Sequence, residues 1–332
     1  MKTLIEKLTQ AFGPSGYEKE VRQVALDAIK DHVDEWRIDA LGNLIARKGT
    51  KARDGARIML SAHIDEIGII ATHIDEKGFV RFTNIGGVRP DNCIAGRVRF
   101  LNGARGVIGV ERLEPRDKVP SLENLFVDVG ATSRADCPVK VGEVAGFERP
   151  FLELGTRLVS KAMDDRIAAA ILVETLKNLT SSPHELYFVF STQEEVGLRG
   201  ATTAAYGIDP EIGISVDVTA TGDTPKSSKM EVGLGKGAAI KVRDGGMLSD
   251  PRLVQAMIDA AERVSLPYQL EVLEGGTTDA RAMQISRSGM PAGCVSIPCR
   301  YLHSPSEMVD YQDVQGAVSL LVELLSQPIR LG

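Results

Sequence analysis

The stretch Arg57-Ile-Met-Leu-Ser-Ala-His63 shows a pattern that recurs along the chain: an apolar run typical of a buried strand, followed at once by a side chain that can bind metal. Glu194 and Glu195 follow a second run of this kind, Asp217 ends a third, and His303 follows a fourth. In open α/β sheets, ligands bind outside the carboxyl ends of the strands. The pattern therefore predicts that these side chains meet in one crevice.

The rest of the chain contains two kinds of pattern. Strand-like runs alternate with helical patterns before and after a central region, which is typical of an α/β domain. The central region has short β-rich runs between Gly, Asn and Asp turns and no long helical pattern. We therefore predict an α/β catalytic domain with a mixed sheet, residues 1–67 and 159–332, interrupted by an all-β insertion, residues 68–158. Because His63 precedes the insertion and the other candidates follow it, the site should lie near the junction.

The composition of this 332-residue chain, 43% hydrophobic and 25% charged, is ordinary for a globular protein. Its net charge of -6 offers no basic face to nucleic acid or anionic lipid. No apolar stretch approaches the roughly 20 residues of a membrane helix, and charges near the N-terminus stand where a signal peptide needs an apolar core. The four cysteines form no C-x-x-C pair. We therefore predict a cytoplasmic protein with reduced thiols and without nucleic-acid or membrane partners.

The candidate ligands predict a dinuclear metal centre. Two histidines and three carboxylates, namely His63, Asp164, Glu195, Asp217 and His303, suit divalent zinc or cobalt, and also manganese. Five ligands would crowd one ion, whereas two ions about 3.5–4 Å apart with a bridging carboxylate would use them all. Asp164 is the best candidate for the bridge, because it directly precedes a predicted helix whose free amide groups favour an anion.

Three further carboxylate assignments follow from position. Asp65 lies two residues beyond His63 and could accept a proton from the imidazole nitrogen that is not bound to metal. Glu194 and Glu195 are adjacent, so their side chains diverge, and one can bind metal while the other takes a proton from water. We assign Glu195 to metal and Glu194 to proton transfer, although spacing alone does not fix which is which.

The segment Gly275-Gly-Thr-Thr-Asp-Ala280 precedes another predicted helix. It is either a glycine turn with a helix N-cap or a backbone wall near the substrate. The candidate substrate-binding residues are Gly276, Thr277, Thr278, Asp279 and Arg281. Arg281 could favour an acidic group on the substrate or simply lie at the surface.

Six motifs in this order resemble those of the TET-type metallo-aminopeptidases, a family of co-catalytic zinc exopeptidases that includes glutamyl and deblocking aminopeptidases. They are Ala62-His-Ile-Asp-Glu-Ile-Gly68, Lys161-Ala-Met-Asp-Asp-Arg166, Thr192-Gln-Glu-Glu-Val-Gly197, Ser215-Val-Asp217, Gly275-Gly-Thr-Thr-Asp-Ala280 and Arg300-Tyr-Leu-His-Ser304. The resemblance implies a phosphorylase/hydrolase-like α/β domain with a PDZ-like β insertion. It also implies a homo-oligomer in which dimers form a hollow tetrahedral dodecamer that admits short peptides. One departure is Ala168, where many relatives have Gly, and we expect only a packing change there.

The same resemblance implies a separate role for each residue of the site. His63, Asp164 and Asp217 would hold one metal ion, and Asp164, Glu195 and His303 would hold the other. Glu194 would be the general base, and Asp65 would orient His63. The peptide bond that joins Asp164 to Asp165 would be cis.

We therefore predict a metal-dependent aminopeptidase that removes N-terminal residues from short peptides with a water activated by two metal ions. A deacylase or carboxypeptidase with a similar site is the nearest alternative, and it would be distinguished by its action on N-acetylated peptides. A glycosidase with two carboxylates would leave both histidines without a role. A peptide-binding scaffold without catalysis is the remaining alternative.

Overall fold

The computed structural model describes residues 1–114 and 119–331, in which strands form a large mixed sheet and a small closed barrel. In chain order the strands are β1 (Glu35–Ile38), β2 (Leu44–Lys48), β3 (Arg57–His63), β4 (Gly68–Ile74), β5 (Val80–Ile85), β6 (Arg97–Phe100), β7 (Arg105–Val110), β8 (Leu125–Asp128), β9 (Val144–Glu148), β10 (Leu152–Leu154), β11 (Arg157–Ser160), β12 (Glu185–Ser191), β13 (Ile212–Thr219), β14 (Ala238–Arg243), β15 (Tyr268–Val272), β16 (Ala292–Arg300) and β17 (Glu307–Asp310). The helices are α1 (Lys2–Gln10), α2 (Lys19–Ile29), α3 (Pro90–Cys93), α4 (Met163–Asn178), α5 (Arg199–Ile208), α6 (Pro251–Arg263), α7 (Asp279–Gln284) and α8 (Tyr311–Ser326). The predicted mixed α/β class is confirmed.

The large sheet has eleven strands, nine of them in the order β1-β2-β12-β3-β13-β16-β17-β11-β10, with β14 and β15 attached beside β16. Its centre is parallel, because β3 lies between β12 and β13 and runs in the same direction as both. In the register of β3 and β12, His63 lies opposite Ser191, where both strands end. The polar residues that follow these strands therefore start from the same edge of the sheet.

Strand β3 shows why these residues form a central strand. Ile58 and Leu60 pack into the larger core, which includes α4 and α8, whereas Met59 packs into a second core with α5 and α7 on the opposite face. Alternation of side chains between the two faces places apolar residues on both, as expected for a strand covered on both sides. We expect Leu60→Ala to cost about 2–5 kcal/mol in the free energy of unfolding, because the residue is fully buried.

The small barrel is closed by antiparallel strands in the order β4-β5-β8-β7-β6-β9. It has its own core, which includes Ile69, Val80, Phe100 and Leu125. The predicted all-β character of this region is confirmed among its described residues, where the only helical turns are α3 and a single 3-10 turn at Leu122–Asn124. Strand β10 lies within the range predicted for the insertion but pairs with β11 in the large sheet.

The helices predicted next to Asp164 and next to the Gly275–Ala280 segment are present as α4 and α7, within a few residues at their ends. Helix α5 was not predicted. Its sequence, Arg-Gly-Ala-Thr-Thr-Ala-Ala-Tyr-Gly-Ile, has mainly small residues on its buried face and contains two glycines, which lower helix propensity. Among the described residues, no helix combines the length and the apolar character needed to cross a membrane.

Candidate metal centre

A cleft of about 580 Å³ opens at the carboxyl ends of β3, β12 and β13. Of the predicted site residues, those that line it are His63, Asp164, Glu194, Glu195, Asp217, His303, Gly276, Thr277, Thr278 and Arg281. Gly87 and Arg89 of the barrel region line the same cleft. The cleft therefore lies where the barrel meets the large sheet.

Asp164 lies between the two histidines. Its Oδ1 atom is 2.9 Å from His63 Nε2, and its Oδ2 atom is 3.3 Å from His303 Nε2. Although burial raises the pKa of Asp164, the hydrogen bonds from His303 and His63 lower it below the usual range. Asp164 and Asp165 have non-helical dihedral angles in the first turn of α4, and the predicted cis peptide bond joins them. Each carboxylate oxygen thus faces a different imidazole.

His63 is held from behind by Asp65. Its Nδ1 atom is 3.1 Å from the backbone oxygen of Asp65 and 3.5 Å from Oδ1 of the same residue. A carbonyl oxygen can only accept a hydrogen bond, so Nδ1 keeps its proton, and Nε2, which faces Asp164, is the nitrogen that would give up its proton to bind metal. Strand β3 ends at His63, so Asp65 reaches the ring from the loop beyond the strand.

The Asp65 carboxylate also holds the backbone of the two glutamates. Its oxygens accept hydrogen bonds from the amide groups of Glu194, at 3.0 Å, and of Glu195, at 3.2 Å. Ser15, in the loop between α1 and α2, donates its hydroxyl to the same carboxylate at 2.6 Å. Nothing in the local sequence links Ser15 to a residue fifty positions later.

Glu194 and Glu195 point to different parts of the cluster. Glu195 Oε1 is 3.5 Å from His303 Nε2, whereas Glu194 Oε2 is 3.9 Å from His63 Nε2. Burial and the charge of Asp164 raise the pKa of Glu195 to about 7. Burial also raises the pKa of Glu194 well above its usual value, although the nearby His63 opposes the shift. The expected divergence of the two side chains is present.

Asp217 and Asp165 complete the His63 side of the cluster. One ligand atom from each of these three residues lies within 4.8 Å of the others. Asp165 was not predicted as a site residue, although the Asp-Asp doublet marks its position. It is fully buried, its Oδ2 accepts the backbone amide of His63 at 3.3 Å, and its Oδ1 has no hydrogen-bond partner among the described residues.

Glu307, at the start of β17, is a second residue that sequence reasoning missed. Its two carboxylate oxygens accept the backbone amides of Asp164 and His303, each at 2.9 Å. It therefore ties the start of α4 to the loop that carries His303. No signal in the local sequence distinguishes it from an ordinary strand glutamate.

The cluster has the charge that a cation site requires. Burial, first of all, raises the pKa of Asp165, Asp217 and Glu307 well above their usual values, and neighbouring carboxylates add to the shift. Carboxylates buried this close together repel one another unless positive charge lies between them. Imidazole and carboxylate donors suit a divalent ion, and the unpaired oxygen of Asp165 lies within this cluster. The residues present therefore fit bound metal.

The glycine-containing segment before α7 forms one wall of the cleft, with Gly276, Thr277, Thr278 and Arg281 along it. Asp279 has a different position. Its buried carboxylate accepts hydrogen bonds from Ser61 of β3 and Ser191 of β12, beneath the edge of the sheet. The structure thus brings four of these five predicted residues to the cleft surface and places Asp279 under it.

Comparisons with known proteins agree with this geometry. The model of the family described as M42 glutamyl aminopeptidase matches residues 42–320. The chain is similar to the lysyl aminopeptidase of Pyrococcus furiosus, with 38% identity covering 98% of this chain and 96% of that protein. It superimposes on aminopeptidase APDkam598 of Desulfurococcus kamchatkensis with a TM-score of 0.93 and 40% identity, covering 98% and 94% of the two chains. The TET1 peptidase of Pyrococcus horikoshii, which can assemble into a tetrahedron or a large octahedral shell, gives a TM-score of 0.88 at 31% identity, covering 98% and 99%.

Proposed function

Because this chain belongs to the M42 glutamyl aminopeptidase family and is a metal-dependent aminopeptidase, we propose that the buried cluster around Asp164 is its active site. The resemblance predicted from the six motifs is confirmed by this membership. In the proposed site, His63, Asp164 and Asp217 bind one divalent ion, and Asp164, Glu195 and His303 bind a second.

The position of Asp164 is the observation that carries this proposal. One of its oxygens is directed to His63 and the other to His303, at 2.9 and 3.3 Å. This is the arrangement expected of a carboxylate that supplies one oxygen to each of two ions. The remaining proposed ligands lie around this carboxylate. Glu195 is 3.5 Å from His303 and also groups with His63 and Asp164, whereas Asp217 groups with His63 and Asp165.

The residues of the proposed site have different roles in hydrolysis. When bound, two such ions would polarise the scissile carbonyl group and lower the pKa of water. Glu194 takes a proton from the attacking water and returns it to the leaving amine, since it lines the cleft together with Asp164, Glu195 and Asp217 and is the one of these four without a proposed metal-binding role. Asp65 fixes the ring of His63 and the backbone of Glu194, so it sets the positions of the base and of one metal ligand relative to each other.

The cleft walls would hold the N-terminal residue of a short peptide. Gly276, Thr277, Thr278 and Arg281 line the cleft, and they are our candidates for contact with that residue. Asp279 would act from beneath, by fixing Ser61 and Ser191 at the ends of β3 and β12. We propose zinc or cobalt as the bound metal, and manganese as a third candidate, because these ions accept mixed imidazole and carboxylate ligands.

The organisation of the whole protein is also proposed. The barrel supports a division into a catalytic domain of residues 1–67 and 159–332 and a PDZ-like insertion of residues 68–158. The likeness to the Pyrococcus horikoshii TET1 peptidase supports a homo-oligomer, and we propose dimers that assemble into a tetrahedral dodecamer. A cytoplasmic location stays a prediction from the sequence.

Hydrolysis of matched peptides tests the activity. The protein is stripped of metal with a chelator, reloaded with Zn²⁺ or Co²⁺, and assayed on short peptides with a free or an acetylated N-terminus. We expect cleavage of the first peptide bond only in the free-amine series, loss of that cleavage in the stripped protein, and its return after reloading. Equal cleavage of acetylated peptides would indicate the deacylase alternative, and cleavage that survives stripping would contradict the metal centre.

A further inference from the structure

The barrel region reaches the candidate metal centre through residues 86–92, which follow β5 and include the start of α3. The carbonyl oxygen of Gly87 is 3.0 Å from His303 Nδ1, and Asn92 Nδ2 donates to the backbone oxygen of His303 at 3.3 Å. Both the ring and the backbone of His303 are thus held by a segment more than 200 residues away along the chain.

The contact at Gly87 decides which nitrogen of His303 is free. A backbone carbonyl can only accept, so Nδ1 keeps its proton, and Nε2 is the nitrogen that would give up its proton to bind an ion. That Nε2 atom faces Asp164 and Glu195, at 3.3 and 3.5 Å. The Nδ1 atom of His63 is held in the same way by the backbone oxygen of Asp65, two residues further along the chain. The Nδ1 atom of His303 is held by Gly87 of the barrel region.

The two glycines of this segment leave room for the ligands. A Cβ atom on Gly87 would lie 2.3 Å from Nδ1 and 2.5 Å from Cε1 of His303. A Cβ atom on Gly86, whose φ is +74°, would lie 2.9 Å from Oε2 of Glu195. His303 and Glu195, two proposed ligands of the second ion, therefore pack directly against these glycines. A larger residue at either position would collide with the ligand.

We propose that residues 86–92 are a positioning element of the metal centre, through which the docked barrel sets the tautomer of His303 and the affinity of the ion bound by His303 and Glu195. This inference rests on the proposed dinuclear site. It predicts that the two ions would respond differently to a change in this segment, because the segment contacts His303 and lies against Glu195, which are proposed ligands of the second ion only.

The test compares the full-length wild type with Gly87→Ala, both stripped of metal and titrated with Co²⁺. Calorimetry gives the two affinities, and the visible spectrum of Co²⁺ reports changes in the coordination of each site. We expect the first ion to bind as in the wild type. The second should bind about 10–100-fold more weakly, which is the usual effect of removing the outer support of a metal-binding histidine. Two wild-type affinities in Gly87→Ala would overturn the inference.

Two further variants separate positioning from a general loss of structure. Gly207→Ala in α5 adds the same methyl group where no atom lies within 4 Å, so both ions should bind as in the wild type. Asn92→Ala removes only the hydrogen bond to the backbone of His303, and we expect the second ion to bind about two- to tenfold more weakly. Should Gly87→Ala fail to fold, Asn92→Ala decides the matter, and wild-type affinity for both ions in that variant would refute the proposal.

The same titration keeps this inference apart from the proposed function. A wild-type protein that binds fewer than two ions would overturn the dinuclear site itself. A wild type that binds two ions, together with variants that bind both equally well, would leave the site in place and remove only the role of the barrel.

Discussion

His63 and His303 occupy equivalent positions on the two sides of Asp164, but the protein builds these two sides differently. His63 ends a central strand, its side chain is 2% exposed, and its support comes from Asp65 nearby. His303 lies in a loop beyond β16 with a φ of +56°, its side chain is 34% exposed, and its supports are Gly87, Asn92 and Glu307. A left-handed backbone at a residue other than glycine costs about 1–3 kcal/mol and persists only where its surroundings enforce it.

One side of the site is thus specified by the sheet, and the other by contacts between distant parts of the chain. The His63 side follows once β3, β12 and β13 are paired. The His303 side also requires the barrel and β17 to be in place. We therefore expect the His303 side to be the more easily weakened.

Asp164→Ala should have the largest effect, because this residue alone belongs to both sides. We expect loss of tight binding of both ions and loss of peptidase activity, measured by metal analysis after dialysis and by hydrolysis of a free-amine peptide. Asp259→Ala, which changes an aspartate on the exposed face of α6, is the matched control and should behave as the wild type. A variant at Asp164 that still holds two ions would contradict the bridge.

Glu194→Gln should separate catalysis from metal binding. The change keeps the shape of the side chain but removes its capacity to accept a proton, so turnover should fall at least about a hundredfold. Both ions should remain, because Glu194 has no proposed role as a ligand. Kinetic assays and metal analysis of the same sample check this, and undiminished turnover would exclude Glu194 as the base.

Substitution of the two histidines should reveal the difference between the two sides. His303→Ala should lose the ion shared with Glu195 and keep the ion bound by His63 and Asp217. His63→Ala should weaken both, because it removes the closest partner of Asp164 from a buried group of carboxylates. Metal titration of the two variants measures this, and equal losses in both would mean that the two sides are not distinct.

The metal-free protein should become less stable as the pH rises. The pKa of Glu195 is raised from 4.5 to about 7 by burial and Asp164. That of His303 is raised from 6.5 to about 10 by Asp164 and Glu195, although burial opposes the shift. The folded state thus holds more protons than the unfolded state between about pH 5 and 9, so its stability falls across this range.

Metal should weaken this pH dependence, since the ligands must lose their protons to bind an ion. Melting temperatures from pH 5 to 9, measured with chelator and with Zn²⁺, give the comparison. In the metal-free protein, His303→Ala should flatten the upper part of the profile, where that imidazole contributes. A stability that rises with pH in the chelated wild type would contradict the assignment of the charges.

The sequence predicted the ligands at strand ends because a polar residue directly after an apolar run is a local signal. His63, Glu195 and Asp217 are of this kind, and the structure brings them to one cleft. Ser15 and Glu307 carry no such signal, because their roles depend on which backbone amides and carboxylates the folded chain brings to them. The same limit explains why Asp279 was expected at the cleft surface although its carboxylate lies beneath two serines.

The barrel illustrates the same distinction on a larger scale. Its strands and turns were predictable from the spacing of short β-rich runs, and so was the position of the cleft at a junction. The contact of Gly87 with His303 was not predictable, since a glycine before Val88 and Arg89 gives no indication of the imidazole that packs on it. Local patterns thus predicted the strands and turns, whereas the contacts between distant segments depend on the three-dimensional fold.

Anomalous diffraction from crystals of the zinc-loaded wild type tests the central claim most directly. We expect two zinc peaks in each chain, about 3.5–4 Å apart, with one next to each carboxylate oxygen of Asp164. A single peak, or two peaks that do not share Asp164, would contradict it.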